Sequence, residues 1–312
     1  MGSARLLHGL WAEDQLRGSD HDLARMVLPE PDLRPPERTL PHVVLPPLPE
    51  DMRDVIQRVQ LREPEKLVAL TFDLCERAPY LSGYRYDLVN FLREHGVRAT
   101  FFAGGKWMRS HPDKAMQLMA DPLFELGNHA WTHGNLALMN AGEIREQLLW
   151  TQAQYEVLRE RLAERAKLRG LEREMAAVPE ALRLMRLPYG RNAAHTLDVI
   201  AELGLPIIQW SIEGESGGNG SGLEAMVRHN LRHVQPGGII LMHANAVPRN
   251  TQDLVRDLVP LLQQQGYRFV TVSELLSLGN PVTVKDGYFS TPDDNKYLDG
   301  LFGGKGTMNR KK

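Results

Sequence analysis

Three features of the chain predict an α/β protein built on a parallel sheet. From residue 67 onward, short apolar runs alternate with amphipathic segments of helical period, the pattern of repeated strand–helix units rather than of hairpins. Several of the helical segments stop at a glycine just past the last turn, as at Gly96 and Gly266. The 312 residues, 42% hydrophobic and 24% charged, suffice for one barrel-sized domain of about 200–250 residues with an appendage.

Strands are predicted at residues 67–74, 98–104, 125–130, 182–187, 206–212, 238–243 and 268–272, and helices at 86–95, 112–121, 141–169, 194–203, 223–234 and 253–265. Together they make a domain over 63–280. Residues 1–62 read as an extended arm with a short helix at 49–59, because eight of the 20 prolines fall between Pro29 and Pro49 and such density forbids helix over most of that span. Within the domain, the stretch from Glu156 to Glu174 carries 11 charged residues in 19. With only a thin apolar stripe of Leu158, Leu162, Ala163 and Ala166, it predicts a helical excursion over 156–180 projecting into solvent. Residues 281–312 are polar and glycine-rich and are expected to form a mobile tail without function.

Composition excludes several classes. Lys and Arg total 37 against 39 Asp and Glu, a formal charge of −2 that leaves no basic excess for nucleic acid. No apolar run approaches the ~18 residues of a transmembrane helix, so no integral membrane segment is expected. A single cysteine, Cys75, removes an internal disulfide framework and a thiolate zinc finger. The N-terminus has no apolar signal core, which leaves the compartment open: cytoplasmic, or periplasmic or extracellular if a signal has been removed.

In a parallel α/β protein the site lies at the C-terminal ends of the strands. Here those ends read Thr71-Phe72-Asp73-Leu74-Cys75-Glu76, Asn128-His129-Ala130-Trp131-Thr132-His133, Arg186-Leu187-Pro188-Tyr189-Gly190, Gln209-Trp210-Ser211-Ile212-Glu213 and Leu241-Met242-His243. His129 and His133, four apart at a strand end, suit one zinc-type ion completed by a carboxylate. His229 and His233 share that spacing but flank the apolar stripe of a helix and lack the glutamate of a His-Glu-x-x-His motif, so they read as surface residues. The glycine-rich stretch 214–222 lacks the Gly-Lys-Ser/Thr ending of a phosphate loop and reads as a rim loop.

Leu70-Thr71-Phe72-Asp73, Ala99-Thr100-Phe101-Phe102, Gly127-Asn128-His129-x-x-x-His133, Arg186-x-Pro188-Tyr189-Gly190 and Ile240-Leu241-x-His243 together resemble the successive motifs of the polysaccharide deacetylases, carbohydrate esterase family 4 with its nodulation-type domain. The resemblance runs from Leu67 to Val272. It implies a distorted (β/α)7 barrel with the proline-rich arm outside it, and a hydrolase that removes N- or O-acetyl groups from a carbohydrate with a divalent metal, zinc by preference. It also implies Asp73 as general base, His243 as general acid, Arg186 orienting Asp73, and Tyr189, Pro188 and Trp210 against the substrate. A backbone N–H near Tyr189 and the metal would face the developing oxyanion.

One departure stands out. The family usually has two adjacent aspartates in the first motif, the second being a metal ligand, and Leu74 occupies that place. Glu76 is the preferred replacement beside His129 and His133, as a carboxylate replacing a carboxylate. Asp73 itself, Cys75, the more distant Asp87 and a metal-free site remain alternatives, and Asp87 also reads as a carboxylate at a helix start. Two further readings follow from the same departure: a catalytically silent carbohydrate-binding protein, and an amidase acting on a small non-sugar amide. A cysteine–histidine hydrolase using Cys75 is the competing enzymatic class.

Overall fold

The computed structural model describes residues 4–218, 220–248, 250–303 and 307–308. Strands lie in the order Gly279–Val284, Val55–Leu61, Gly238–His243, Leu67–Leu74, Ala99–Ala103, Phe124–Asn128. The last four run parallel, and their register sets Asp73 between Phe102 and His243, with Phe102 opposite Gly127. The sheet curls into a distorted barrel. The strands expected at 182–187 and 206–212 shrink to single bridges, Asn128↔Met185 and Met185↔Ile207, and to the pair Ile212–Glu213 beside Ile240 and Leu241. Pro188 and Pro206 lack the amide donor a longer ladder needs at those points. The seventh expected strand is the pair Arg268–Phe269 beside Leu67 and Val68.

The helix expected at 49–59 does not form. Glu50–Met52 is a single turn, and Val55–Leu61 is a strand whose Val55, Ile56 and Val59 are fully buried. It pairs with Gly279–Val284, then wedges into the barrel wall, with Ile56 opposite Ile208 and Arg58 opposite Gly238. The wedge explains one glycine: Gly237 has φ +81°, and a Cβ there would sit 1.8 Å from the Val59 carbonyl oxygen.

Strand Leu67–Leu74 is buried along its whole length and sorts its side chains by period two. Val68, Leu70, Phe72 and Leu74 face the helices, while Leu67 and Ala69 join Phe102, Ile239 and Leu241 inside the barrel. That alternation leaves Thr71 and Asp73 pointing inward.

The charged segment does not project from the domain. Helix Ala141–Lys167 keeps Tyr155, Leu158, Leu162 and Ala166 at 2% exposure or less, in the same core as Leu6, Leu7 and Trp11 from the N-terminus. A stripe spaced three or four residues apart needs only a covering neighbour to be buried, and helices Arg5–Leu10 and Pro112–Ala120 supply it. The opposite face carries the charges. Its Glu156, nearly buried, accepts from the backbone N–H groups of His42 and Val43 and so pins the proline-rich segment to the barrel.

The stretch after residue 278 is likewise built into the fold up to residue 301. After strand Gly279–Val284 it turns back across the barrel mouth, fastened by Arg191–Asp299 at 2.8 Å and by Asn192 Oδ1 accepting from Gly287 N at 2.8 Å. Asn309 to Lys312 lie outside the described residues.

Truncating Leu162 to Ala is expected to cost about 2–5 kcal/mol, as for other fully buried leucines, while Arg161→Ala stays within about 0.5 kcal/mol. Guanidinium unfolding of the two variants checks this, and equal small effects would return the helix to solvent.

Candidate active site

The inward face of strand Leu67–Leu74 supplies the first functional group. Asp73, 4% exposed, receives a hydrogen bond from Arg186 through Oδ1 at 3.0 Å, and its Oδ2 lies 3.4 Å from His129 Nε2. Arg186 is fully buried. It also donates to Thr71 Oγ1 at 2.7 Å and to the carbonyl oxygens of Ile208 and Gln209, and its guanidinium lies 4.1 Å from the Phe102 ring centroid. Burial pulls its pKa down against the opposing pull of Asp73. The planar, weakly hydrated guanidinium is the cation that tolerates such a place.

His129 is oriented from behind. Its Nδ1 lies 2.8 Å from the Arg186 carbonyl oxygen, an acceptor only, so the proton sits on Nδ1 and Nε2 is presented to the site. There Nε2 meets Cys75 Sγ at 3.3 Å. His133 follows with φ +54°, a left-handed turn that swings its ring edge-on to His129 at 4.8 Å and to Tyr189 at 4.4 Å. Its Nδ1 is buried without a hydrogen-bond partner. The ligand atoms of Cys75, His129 and His133 all lie within 4.8 Å of one another.

These groups shift one another. Burial alone would raise the Cys75 thiol, yet the two imidazoles outweigh it and hold the group well below its usual range. Burial would likewise depress His129, but Asp73 and Cys75 carry it upward. His133 moves down because burial, its largest influence, prevails over the attraction of Cys75. His243 stands on the opposite side. Its Nδ1 and Glu215 Oε2 are 2.6 Å apart, and its backbone N–H donates to Glu215 Oε1 at 3.1 Å. Thr251 Oγ1 donates to the same carboxylate. Desolvation opposes the charged imidazolium, but Glu215 and Cys75 together hold its pKa well above the usual histidine value.

Glu76 is not brought to the histidines. It alternates to the far side of the chain, where it is fully buried and its carboxylate is taken up by Lys106 Nζ at 2.7 Å, Ser110 Oγ at 2.6 Å and Ser82 N at 2.9 Å. The expectation that Glu76 completes the metal set therefore does not fit this geometry. Cys75, two residues past Asp73, falls on the inward face instead, and Asn245 Nδ2 fixes its carbonyl oxygen at 2.9 Å. Leu74 is packed against the helices. Asp87 is engaged by Arg85 and by the N–H of Leu88 at its helix start. His229 and His233 lie on helix Leu223–His233, and the ring of His233, exposed, faces its own helix carbonyl at His229.

A cavity of about 460 Å³ opens over Asp73, Cys75, His133 and His243. Tyr189 and Trp210 line it, whereas Pro188 is buried at the start of the turn and is not among the lining residues. The Tyr189 turn is shaped by residues far away in sequence. Tyr189 has φ +60°, and Asn295 Nδ2 lies 3.2 Å from its carbonyl oxygen and 3.0 Å from that of Gly190. Phe289 stacks on Trp210 at 6.4 Å and 18°, and its carbonyl accepts from the indole N–H.

Sequence reasoning missed Glu215, Asn295, Phe289 and the cavity-lining Arg25 and Arg77. Glu215 carried a usable signal, since it stands just after the fifth strand end that had been singled out. The others come from the two flanking segments or from the loop after Asp73, where no periodicity marks direction.

The polysaccharide deacetylase family model matches residues 60–208. A peptidoglycan-N-acetylglucosamine deacetylase of Listeria monocytogenes is 28% identical over 239 residues, covering 76% of this chain but only 44% of that protein, so the chain spans less than half its length. A protein of the same name from Bacillus cereus is 29% identical over 210 residues, 67% of each. Among solved structures, a carbohydrate esterase family 4 pseudoenzyme from Bacillus anthracis superposes with a TM-score of 0.54 at 24% identity, over 70% of this chain and 68% of that one. At that identity the likeness is one of fold.

Arg186→Met is expected to lower stability by about 3–5 kcal/mol by leaving Asp73 buried and unpaired. Adding Asp73→Asn should recover much of the loss. Denaturant unfolding of both variants checks the cycle, and a double variant no more stable than Arg186→Met would show that the pair is not coupled.

Proposed function

On the match of residues 60–208 to the polysaccharide deacetylase family model, we propose that the chain belongs to that family and is a hydrolase removing N- or O-acetyl groups from a carbohydrate with a divalent metal ion. The observation that carries this reading is the convergence of Asp73, Cys75, His133 and His243 on one cavity, with His129 directly behind. The donor set suits such an ion: His129 presents Nε2, and His133 keeps a buried nitrogen that no protein group satisfies. His129, His133 and a third donor at the end of strand Leu67–Leu74 would hold such an ion, which when bound would supply Lewis acidity. Zinc is the identity most consistent with imidazole donors.

The chain's own residues do the rest. Asp73, aimed by Arg186, accepts the proton of the attacking water. His243, held charged by Glu215, protonates the departing amine or alkoxide from across the cavity. Asn295 fixes the peptide around Tyr189, whose backbone N–H is the protein donor to the oxyanion. Trp210 lines the cavity as the wall for the acetyl methyl. The chain reaches less than half of the Listeria relative's length, and the substrate proposed here is an acetylated oligosaccharide rather than any one polymer.

Acetate release from N-acetylated chito-oligosaccharides and O-acetylated xylo-oligosaccharides tests the reading. Release should depend on a stoichiometric divalent ion, and Asp73→Asn or His243→Ala should each lower kcat by roughly 10²–10⁴. No release from the metal-loaded protein would favour a silent carbohydrate-binding protein, and a His243→Ala variant with near-native kcat would remove His243 as the acid.

A further inference from the structure

We infer that the third protein donor to the divalent ion is the Cys75 thiolate, which makes this a two-imidazole, one-thiolate centre selective for zinc-like ions over magnesium, calcium or manganese. The inference rests on the metal reading above and specifies the donor that reading leaves open.

Elimination leaves Asp73 and Cys75, and geometry favours Cys75, whose sulfur lies within 4.8 Å of ligand atoms on both histidines. Leu74 faces the helix layer, and the Glu76 carboxylate is consumed by Lys106, Ser110 and the Ser82 N–H in a pocket on the other side of the chain. Asp87 is bound to Arg85. Asp73 has given Oδ1 to Arg186, and its other oxygen stands 3.4 Å from His129 Nε2. Cys75 Sγ lies 3.3 Å from the same nitrogen. Two ligand atoms on one tetrahedral ion, with bonds of about 2.3 Å to sulfur and 2.0–2.1 Å to nitrogen, stand about 3.6 Å apart. The present sulfur–nitrogen spacing is within a few tenths of an ångström of that. His133 closes the set at no more than 4.8 Å, and its buried, unpartnered Nδ1 marks this as a place where the protein alone leaves a polar group unsatisfied.

Chemistry then decides the ion. Thiolate and imidazole are soft to borderline donors that suit zinc and cobalt, whereas magnesium, calcium and manganese prefer oxygen donors. Replacing a carboxylate by a thiolate shifts the centre toward the first group without changing its charge. The sulfur also has little access to solvent, with Cys75 8% exposed beneath the cavity.

Cobalt(II) reports the donor directly, because a bound thiolate gives a sulfur-to-cobalt charge-transfer absorption in the near ultraviolet that imidazole and carboxylate do not. The full-length protein is stripped with a chelator and titrated with cobalt(II). Wild type and Asp73→Asn should both show the band at one equivalent. Cys75→Ser should lack the band and bind zinc at least tenfold more weakly, and Cys75→Asp should bind without the band. One equivalent of cobalt bound by the wild type with no such band would overturn the thiolate while leaving the metal reading intact. No cobalt or zinc bound by folded wild type, checked by circular dichroism, would overturn both.

Discussion

Asp73 and Arg186 meet 3.0 Å apart in the barrel interior, where desolvation costs several kcal/mol per charge unless the remaining donors and acceptors are filled. The surrounding residues are arranged to fill them. Thr71, two positions before Asp73, accepts one guanidinium proton, and the carbonyls of Ile208 and Gln209 accept two more. Those carbonyls are free because the fifth strand barely pairs with its neighbours. The Arg186 backbone carbonyl in turn holds His129 Nδ1. A single buried cation thus orients the carboxylate on one side and the imidazole on the other. The irregularity of the barrel at this point accompanies that arrangement, because a longer ladder would occupy the same carbonyls.

The outer parts of the site belong to other parts of the chain. Strand ends carry Asp73, Arg186 and His243, while the walls above them come from Arg25 before the barrel, Arg77 after its first strand and Phe289 beyond its last helix. Asn295 links the two levels, since the peptide carbonyls it binds belong to the Tyr189 turn over the cavity. Chemistry is set by the barrel. Access and the shape of the mouth are set by segments whose sequences resemble linkers.

Much of the barrel was legible because strand and helix periodicities are strong from residue 67 on, and polar residues clustered where apolar strands end. Asp73, Arg186, His129, His133 and His243 come together as their positions at strand ends imply. The place of Glu76 was misread because chemical similarity was weighed above direction: residues two apart on a strand share a face, so Cys75 follows Asp73 inward and Glu76 turns outward to Lys106. The helix around Leu158 and Leu162 was misread for a related reason. Charge counted along the chain says nothing of a narrow stripe that helix Arg5–Leu10 covers, and that helix itself precedes the proline-rich stretch where no packing partner is visible in the sequence. The ordered stretch through residue 301 depends on long-range partners such as Arg191–Asp299, which leave no local pattern.

Anomalous diffraction from crystals of the zinc-loaded protein is the most direct test of the site as a whole. The expected result is one strong peak at bonding distance from His129, His133 and Cys75, beneath the cavity that His243 faces. A peak coordinated by Glu76, a peak only at His229 and His233, or no peak from protein shown to retain zinc in solution would contradict it.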